Sequence, residues 1–323
     1  MKAQRIVKSA LITLALPAGM FFLMMIITRL FGVTYYGNRG MWRTIFTKLM
    51  YTMPMAYGIS MQLRNGRMDF SGGATMVLSA IVGSYIAQRV FDGNPIMMLF
   101  CCIAVAVAVS MVTAGAYIAM RLPIIICTIA MALLYESLTL VVCGGQGIDI
   151  LSNEQMTQFG RFPYGILMLL GSITLYHVVI TYTTVGRRGV LLRNGQTMAV
   201  NIGVNEKKNV VCLFIFSGVL LGMGAVVYAS QNKVATQSNL STASILFANI
   251  ASVYIGRFIG KASTEAIGIL MGALSVQLMN YGLSAIGYGS GGWDNIMFGI
   301  FMMSFYTFIS INERMRTGKA LSL

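Results

Sequence analysis

The stretch PIMMLFCCIAVAVAVSMVTAGAYIAM, residues 95–120, contains no charged side chain and is long enough to cross a membrane as a helix. A hydrocarbon core needs about 20 mostly apolar residues for each helical crossing. Similar stretches fill the chain almost from end to end, and they predict about ten transmembrane helices. The predicted spans are residues 10–31, 45–63, 73–88, 95–120, 123–143, 163–182, 210–230, 243–255, 264–286 and 293–311. The eighth is short, so we expect it to be tilted, broken or partly inserted.

The composition excludes most soluble classes of protein. Charged residues make up 10% of the 323 residues and hydrophobic ones 57%, with a mean hydropathy of +0.75, whereas a soluble domain carries about 25% charged residues. We therefore predict one all-α polytopic domain over residues 1–323, embedded in a lipid bilayer. So little chain remains outside the spans that transport, and not catalysis, is the expected activity.

The net charge of +14 is interpreted as residues that flank spans, and not as a nucleic-acid surface. The glycines and Lys261 of residues 256–263 imitate a phosphate-binding loop, but their spacing is wrong and Ala262 replaces the required Ser or Thr. The five cysteines lie in or beside apolar spans without a CxxC pair, so we expect packing roles and neither a metal site nor a disulfide framework. No cofactor is expected.

Lysine and arginine positions predict the orientation. With the N-terminus inside, sixteen of the 23 basic residues lie in inner segments and seven in outer ones. The outer seven are Arg29, Arg39, Arg43, Lys48, Arg89, Arg161 and Lys233. The bias predicts that both termini are cytoplasmic.

Glu136 is the one acid deep within a predicted span. A carboxylate at that depth is costly and usually faces a protein interior or a wet cavity. It would serve as a proton or ion site in a secondary transporter. The alternative is a neutral or hydrogen-bonded side chain that packs against another helix.

Neutral polar and aromatic side chains within spans are candidates for a translocation pathway. They would suit an uncharged, hydroxyl-rich solute, and they equally suit hydrogen bonds between helices. The candidates are Tyr57, Asn249, Gln277, Asn280 and Tyr281.

Two predicted cytoplasmic segments carry motifs. In the first, Gly66 permits a tight turn, Asp69 or Ser71 is expected to cap span three, and Gly72 follows. The second, residues 183–209, is the longest inner loop. Gly195 and Gly203 bracket a predicted short helix in which Met198 and Ile202 share a face and Ala199 permits close approach. The glycines are expected to turn the chain through left-handed backbone at both ends. We interpret this helix as a docking element; the alternative is an ordinary connecting loop.

At these segments the chain resembles permease subunits of the ribose/galactose class of ATP-binding-cassette importers. The similarity extends over nearly the whole chain. It rests on the order of four motifs: residues 65–73, residues 123–131, Gly144-Gly145-Gln146, and the loop residues Thr183–Arg187, Gly195, Ala199 and Ile202-Gly203-Val204.

The resemblance implies a type II-like importer permease in the bacterial plasma (inner) membrane. It implies a second permease copy, identical or unlike, two cytoplasmic ATPase domains that hydrolyse ATP, and an external solute-binding protein. The coupling residues would be Gly195, Met198, Ala199, Ile202 and Gly203. The implied solute is a monosaccharide, with a nucleoside or another small polar molecule as the alternative. An ion-coupled transporter that uses Glu136, or a membrane scaffold, is the competing class.

The chain departs from the family pattern at three places. The acidic residue before span eight falls on Ile245 or Phe247, a Gly-Gly pair becomes Gly256-Arg257, and a Gly-Asn pair becomes Asn194-Gly195. These changes leave the solute open and favour pairing with an unlike permease.

Overall fold

The structure is a computed structural model that describes residues 2–261, 263–289, 292, 296, 299, 300, 303, 304, 307 and 311. In this part of the chain the regular elements are helices, joined by two short 3₁₀ turns and one isolated antiparallel bridge between Ile148 and Val234. The all-helical prediction is thus confirmed.

Eleven α-helices follow one another over residues 2–285. They are α1 (Lys2–Leu30), α2 (Arg39–Arg64), α3 (Gly72–Val90), α4 (Pro95–Met120), α5 (Ile124–Val141), α6 (Tyr164–Tyr182), α7 (Thr184–Asn194), α8 (Gln196–Asn201), α9 (Glu206–Gln231), α10 (Ala243–Ile259) and α11 (Glu265–Ala285).

Helices occupy the first nine predicted spans, but six of them are both long and apolar enough to cross a membrane. Those six are residues 10–30 of α1, α4, α5 with the turn after it, α6, α9 and α11. The helices α2 and α3 are long enough but less apolar, and α10 has only 17 residues. The predicted tenth span, residues 293–311, lies mostly outside the described residues.

The less apolar helix α2 lies at the centre of the bundle. Its residues from Thr52 to Leu63 are buried without interruption, and it packs against α6, α9, α10 and α11. By contrast, only 22–28% of the span windows of α1 and α4 is buried. A helix surrounded by protein does not need the hydropathy of one that faces lipid, which explains the polar residues of α2.

Side-chain contacts divide the bundle into two ends. Ion pairs gather Arg64, Arg67, Glu206, Arg257 and Glu265 at one end, where α2 and α10 finish and α9 and α11 begin. The helix α8 belongs to this end, because Gln196 bonds to Glu206. We call it the α8 end. The opposite end holds the pair of Asp149 with Lys233.

Glycines allow two pairs of helices to approach closely. A Cβ atom at Gly222 of α9 would lie 2.5 Å from Cα of Ile103 in α4, and one at Gly218 would lie 2.8 Å from Cα of Val107. Gly268 of α11 likewise packs against the backbone of Gly256 in α10. Small residues that let two backbones approach closely are typical of contacts between transmembrane helices.

Candidate functional site

The helix α8 presents an apolar ridge at the α8 end. Met198 is 74% exposed and Ile202 66%, whereas Ala199 is 2% exposed and packs with Leu192 and Val204. The observed helix is shorter than the predicted Gly195–Gly203 segment. Ala199 therefore packs against its own loop in the free permease. Its predicted role of permitting close approach to a partner stays a prediction.

The glycines around α8 differ from each other. Gly203 has a φ of 91°, as expected of a residue that turns the chain through left-handed backbone. Gly195 has a φ of 179°, which is extended backbone, so the same expectation is wrong there. The prediction also missed α7, which turns residues 184–194 of the expected loop into helix.

Glu206 fastens α8 to the rest of the molecule. Its carboxylate accepts hydrogen bonds from Arg67 Nη2 at 2.5 Å and from Gln196 Nε2 at 2.8 Å. The Arg67 guanidinium also lies over the ring of Tyr117, with Cζ 5.5 Å from its centroid. These contacts join the start of α8, the start of α9 and the connection between α2 and α3, so displacement of α8 would reach that connection directly.

A second ion cluster ties four helices together at the same end. Glu265, the first residue of α11, pairs with Arg64 of α2 and with Arg257 of α10, whose Nε lies 3.2 Å from Oε1. The Tyr176 hydroxyl of α6 donates to the same oxygen at 3.1 Å. Neither Glu206 nor Glu265 was predicted from the sequence. Both glutamates lie at the starts of helices and among the basic residues of inner segments. That position in the sequence could have predicted ion pairs.

The motif at residues 66–72 forms a compact turn between α2 and α3. Gly66 has a φ of 73° and packs against Arg193, and Gly72 faces Ile59 and Leu246. Asp69 Oδ1 accepts hydrogen bonds from the backbone N–H and the hydroxyl of Ser71.

The expected side-chain cap of α3 is absent in this described turn, because Ser71 occupies the N-cap position without a capping bond and Asp69 bonds only to Ser71. Burial raises the pKa of the Asp69 carboxyl, and its hydrogen bonds oppose that shift. The motif shapes the connection and does not cap the helix.

Glu136 lies near the middle of the bundle. The hydroxyl of its neighbour Tyr135 is 2.8 Å from both Thr113 Oγ1 and the carbonyl of Val109, which lie halfway along α4. The side chain of Glu136 is buried.

Both carboxylate oxygens of Glu136 hold the segment that leads into α10. Oε2 accepts from the backbone N–H of Leu240 at 2.7 Å, and Oε1 accepts from the N–H and the hydroxyl of Thr242 at 2.8 and 2.5 Å. These bonds satisfy backbone groups that a non-helical segment would leave unpaired at this depth. Of the two interpretations, the geometry favours the hydrogen-bonded one.

The structure does not gather the five pathway candidates into one cavity. Tyr57 and Asn249 are buried in the core. The Tyr57 hydroxyl donates to the carbonyl of Ala266 in α11, and Asn249 Nδ2 lies 3.2 Å from Met55 Sδ of α2. Gln277, Asn280 and Tyr281 are half-buried on α11. The ring of Tyr281 lies 6.2 Å from that of Tyr36, towards the opposite end.

Comparison with known proteins identifies one family. The family model described as "Branched-chain amino acid transport system / permease component" matches residues 41–305. The ribose import permease protein RbsC of Escherichia coli (strain K12) is 24% identical over 244 residues, which cover 73% of this chain and 75% of that protein.

Two further relatives carry other solutes in their names. The fructose import permease protein FruG of Bifidobacterium longum (strain NCC 2705) is 23% identical over 310 residues, covering 90% of this chain and 88% of the relative. The galactose/methyl galactoside import permease protein MglC of Haemophilus influenzae (strain ATCC 51907 / DSM 11121 / KW20 / Rd) is 24% identical over 266 residues. These residues cover 75% of this chain and 78% of the relative.

Proposed function

The chain belongs to the family of permease components of branched-chain amino acid transport systems, and we propose that it forms the translocation pathway of an ATP-binding-cassette importer for an uncharged monosaccharide. Membership makes it a non-enzymatic, multi-pass membrane subunit. ATP hydrolysis then belongs to a partner subunit.

The observation that carries the proposal is the exposed ridge of α8. Met198 and Ile202 offer apolar surface beyond the α8 end, and Glu206 fixes that helix to the connection between α2 and α3. A cytoplasmic ATPase that seats on this ridge could move the membrane helices through these contacts. The remaining partners are a second permease copy, identical or unlike, and an external solute-binding protein.

A monosaccharide is the proposed solute for two reasons. The relatives are named for the import of ribose, fructose and galactose. The polar groups of the predicted spans are also mainly neutral hydroxyls and amides, which match a hydroxylated solute better than a charged one. A nucleoside or a similar small polar molecule is the alternative within the same class.

The ion-coupled alternative finds no support in the environment of Glu136. Both of its oxygens are occupied by Leu240 and Thr242, so a cation or a shuttling proton would have to displace structural hydrogen bonds.

We also propose ten spans with both termini cytoplasmic. The alternation of helices between the two ends supports this arrangement: the start of α1 lies towards the α8 end, since Leu16 packs near Val276 while Met24 meets Gly282 further along α11. That end also carries the predicted inner basic segments.

The function is tested by transport in proteoliposomes that contain the permease with its ATPase and binding protein. Radiolabelled ribose, galactose and fructose should be imported in an ATP-dependent way, each in proportion to its affinity for the binding protein. Import that needs a proton gradient and not ATP would contradict the proposal.

A further inference from the structure

Residues 236–244 expose polar side chains at a depth where lipid would exclude them. Ser238, Asn239, Ser241 and Ser244 are all exposed. The segment is anchored to Glu136 and to Thr139 of α5, near the middle of the bundle. Polar side chains and non-helical backbone at membrane depth persist only where protein buries them or water reaches them. This surface of the segment therefore belongs to a wet cavity or to a polar interface.

The outward face of α5 shows the contrasting case at the same depth. There the exposed neighbours of Glu136 are Leu133, Leu134 and Leu138, which is the composition of a lipid-facing surface. Ser137 is exposed among them, and its hydroxyl donates back to the carbonyl of Leu133 at 2.8 Å. The hydroxyls of Ser241 and Ser244 also bond locally, to Gln237 Oε1 and to the carbonyl of Ser241. The contrast with the polar segment therefore rests on the leucines that surround Ser137.

The exposed segment is held rigidly. Thr139 Oγ1 accepts from the N–H of Gln237 at 2.8 Å, and Glu136 holds Leu240 and Thr242. Asn239 and Leu240 adopt φ values of 55° and 59°, which are unfavourable for side chains with a Cβ and need such support. Side chains on a fixed backbone present their hydrogen-bonding groups in a defined pattern, which is what a binding site requires.

The chemistry of this surface is neutral. Residues 234–256 contain no charged side chain. Among the residues that the structure describes, the side chains of Ser238 and Asn239 make no hydrogen bond, so their donors and acceptors are open.

An aromatic pair adjoins the polar surface. Phe247 stands three residues after Ser244 on α10, is 47% exposed, and meets the ring of Phe70 edge-on at 6.0 Å between centroids. Hydroxyl and amide groups beside an exposed aromatic ring match a small ring with hydroxyl groups and an apolar face.

We propose that Ser238, Asn239, Ser241, Ser244 and Phe247 form the solute-binding wall of the translocation pathway, and that this wall takes an uncharged, polyhydroxylated ring. The inference rests on the proposed transport function and deepens it. Glu136 acts here as a positioning residue, because its hydrogen bonds to Leu240 and Thr242 hold the segment that bears the wall.

The test compares single cysteines at matched depth. Ser238→Cys, Asn239→Cys and the control Ser137→Cys are made in a chain whose five native cysteines are replaced by alanine, provided that this parent imports sugar normally. A small, charged methanethiosulfonate is added to proteoliposomes of the complete importer. We expect Ser238→Cys and Asn239→Cys to react at least tenfold faster than Ser137→Cys, and sugar to slow their modification.

A second measurement uses the native sequence, in case the cysteine-free parent does not fold. Asn239→Ala should raise the KM for the imported sugar about fivefold, which corresponds to the loss of one hydrogen bond of about 1 kcal/mol to the solute. Ser137→Ala should leave KM unchanged.

The outcomes separate the two proposals. Two results, each obtained with normal ATP-driven import, would contradict the proposed solute-binding wall and leave the transport function intact. One is equal, slow modification at all three positions, and the other is an unchanged KM in Asn239→Ala. If the unmodified complex imports no sugar, the transport function fails, and fast modification of Ser238→Cys and Asn239→Cys would still establish that the segment faces water.

Discussion

Glu136 stabilises a non-helical segment within an apolar bundle of helices. It replaces the backbone acceptors that a continuous helix would offer to Leu240 and Thr242, and so it permits the chain to leave helical geometry between α9 and α10. The cost of placing an acid at this depth is offset by the three hydrogen bonds that its side-chain oxygens accept.

Substitution of Glu136 by glutamine should weaken this attachment. The amide keeps one oxygen for Thr242 but turns its NH₂ towards the N–H of Leu240, which leaves a buried donor unpaired at a cost of about 1–3 kcal/mol. We expect a lower melting temperature of the detergent-solubilised permease and slower import that still depends on ATP. Unchanged stability together with loss of proton-driven uptake would instead favour an ion-coupled role. Ser137→Ala serves as the control.

Among the single elements, α8 and the residue after it contain two classes of apolar side chain: some face outward and one packs against the loop. Met198 and Ile202 are exposed, whereas Ala199 packs against Leu192 and Val204. The two classes should respond differently to a charged substitution.

Met198→Asp should spare folding and abolish coupling. The side chain is 74% exposed in the free permease, so the new carboxylate is solvated until an ATPase covers it, when burial without a partner becomes costly. The variant should reach the membrane and keep its melting temperature but lose solute-stimulated ATPase activity. Normal stimulation would refute the docking assignment.

Ala199→Arg provides the comparison for that experiment. Because Ala199 is buried within the loop, the arginine should loosen α8 itself and expose residues 196–204 to limited proteolysis. Equal proteolytic resistance of the two variants would show that Ala199 does not hold the loop.

The contact between α4 and α9 depends on glycine. In Gly222→Val the new side chain would meet the backbone of Ile103, which cannot yield as a flexible side chain can. We expect overpacking to cost at least about 1–3 kcal/mol, read as a lower melting temperature. Gly115→Ala in α4 is the control, since nothing lies within 4 Å of its added Cβ, and it should be neutral or slightly stabilising.

For the molecule as a whole, we expect the basic residues at the α8 end to set the orientation in the membrane. A reporter fused at Leu323 should be active on the cytoplasmic side and one inserted near Asn153 on the outer side. The bridge between Ile148 and Val234 and the pair of Asp149 with Lys233 place the 143–163 connection at the opposite end, which supports this expectation. An outer location of Leu323 would contradict the ten-span arrangement.

Sequence alone determined the helical class, the approximate bounds of α4, α6 and α9, and the family. These follow from local properties: the length of an apolar run, the proline or charge that ends it, and the order of motifs along one chain. Sequence also identified Glu136 and the segment around Met198 as unusual, because an acid inside a span and a long inner loop are visible without any contact.

How these features are used depends on contacts that form in the folded bundle. Hydropathy could not reveal that α2 is central, since it records the composition of a helix and not its neighbours. The partners of Glu136 are more than 100 residues away in the chain, and Arg67 meets Glu206 across 139 residues. Such pairs depend on the packing of several helices at once, and packing is a property of the folded bundle that no local stretch of sequence contains.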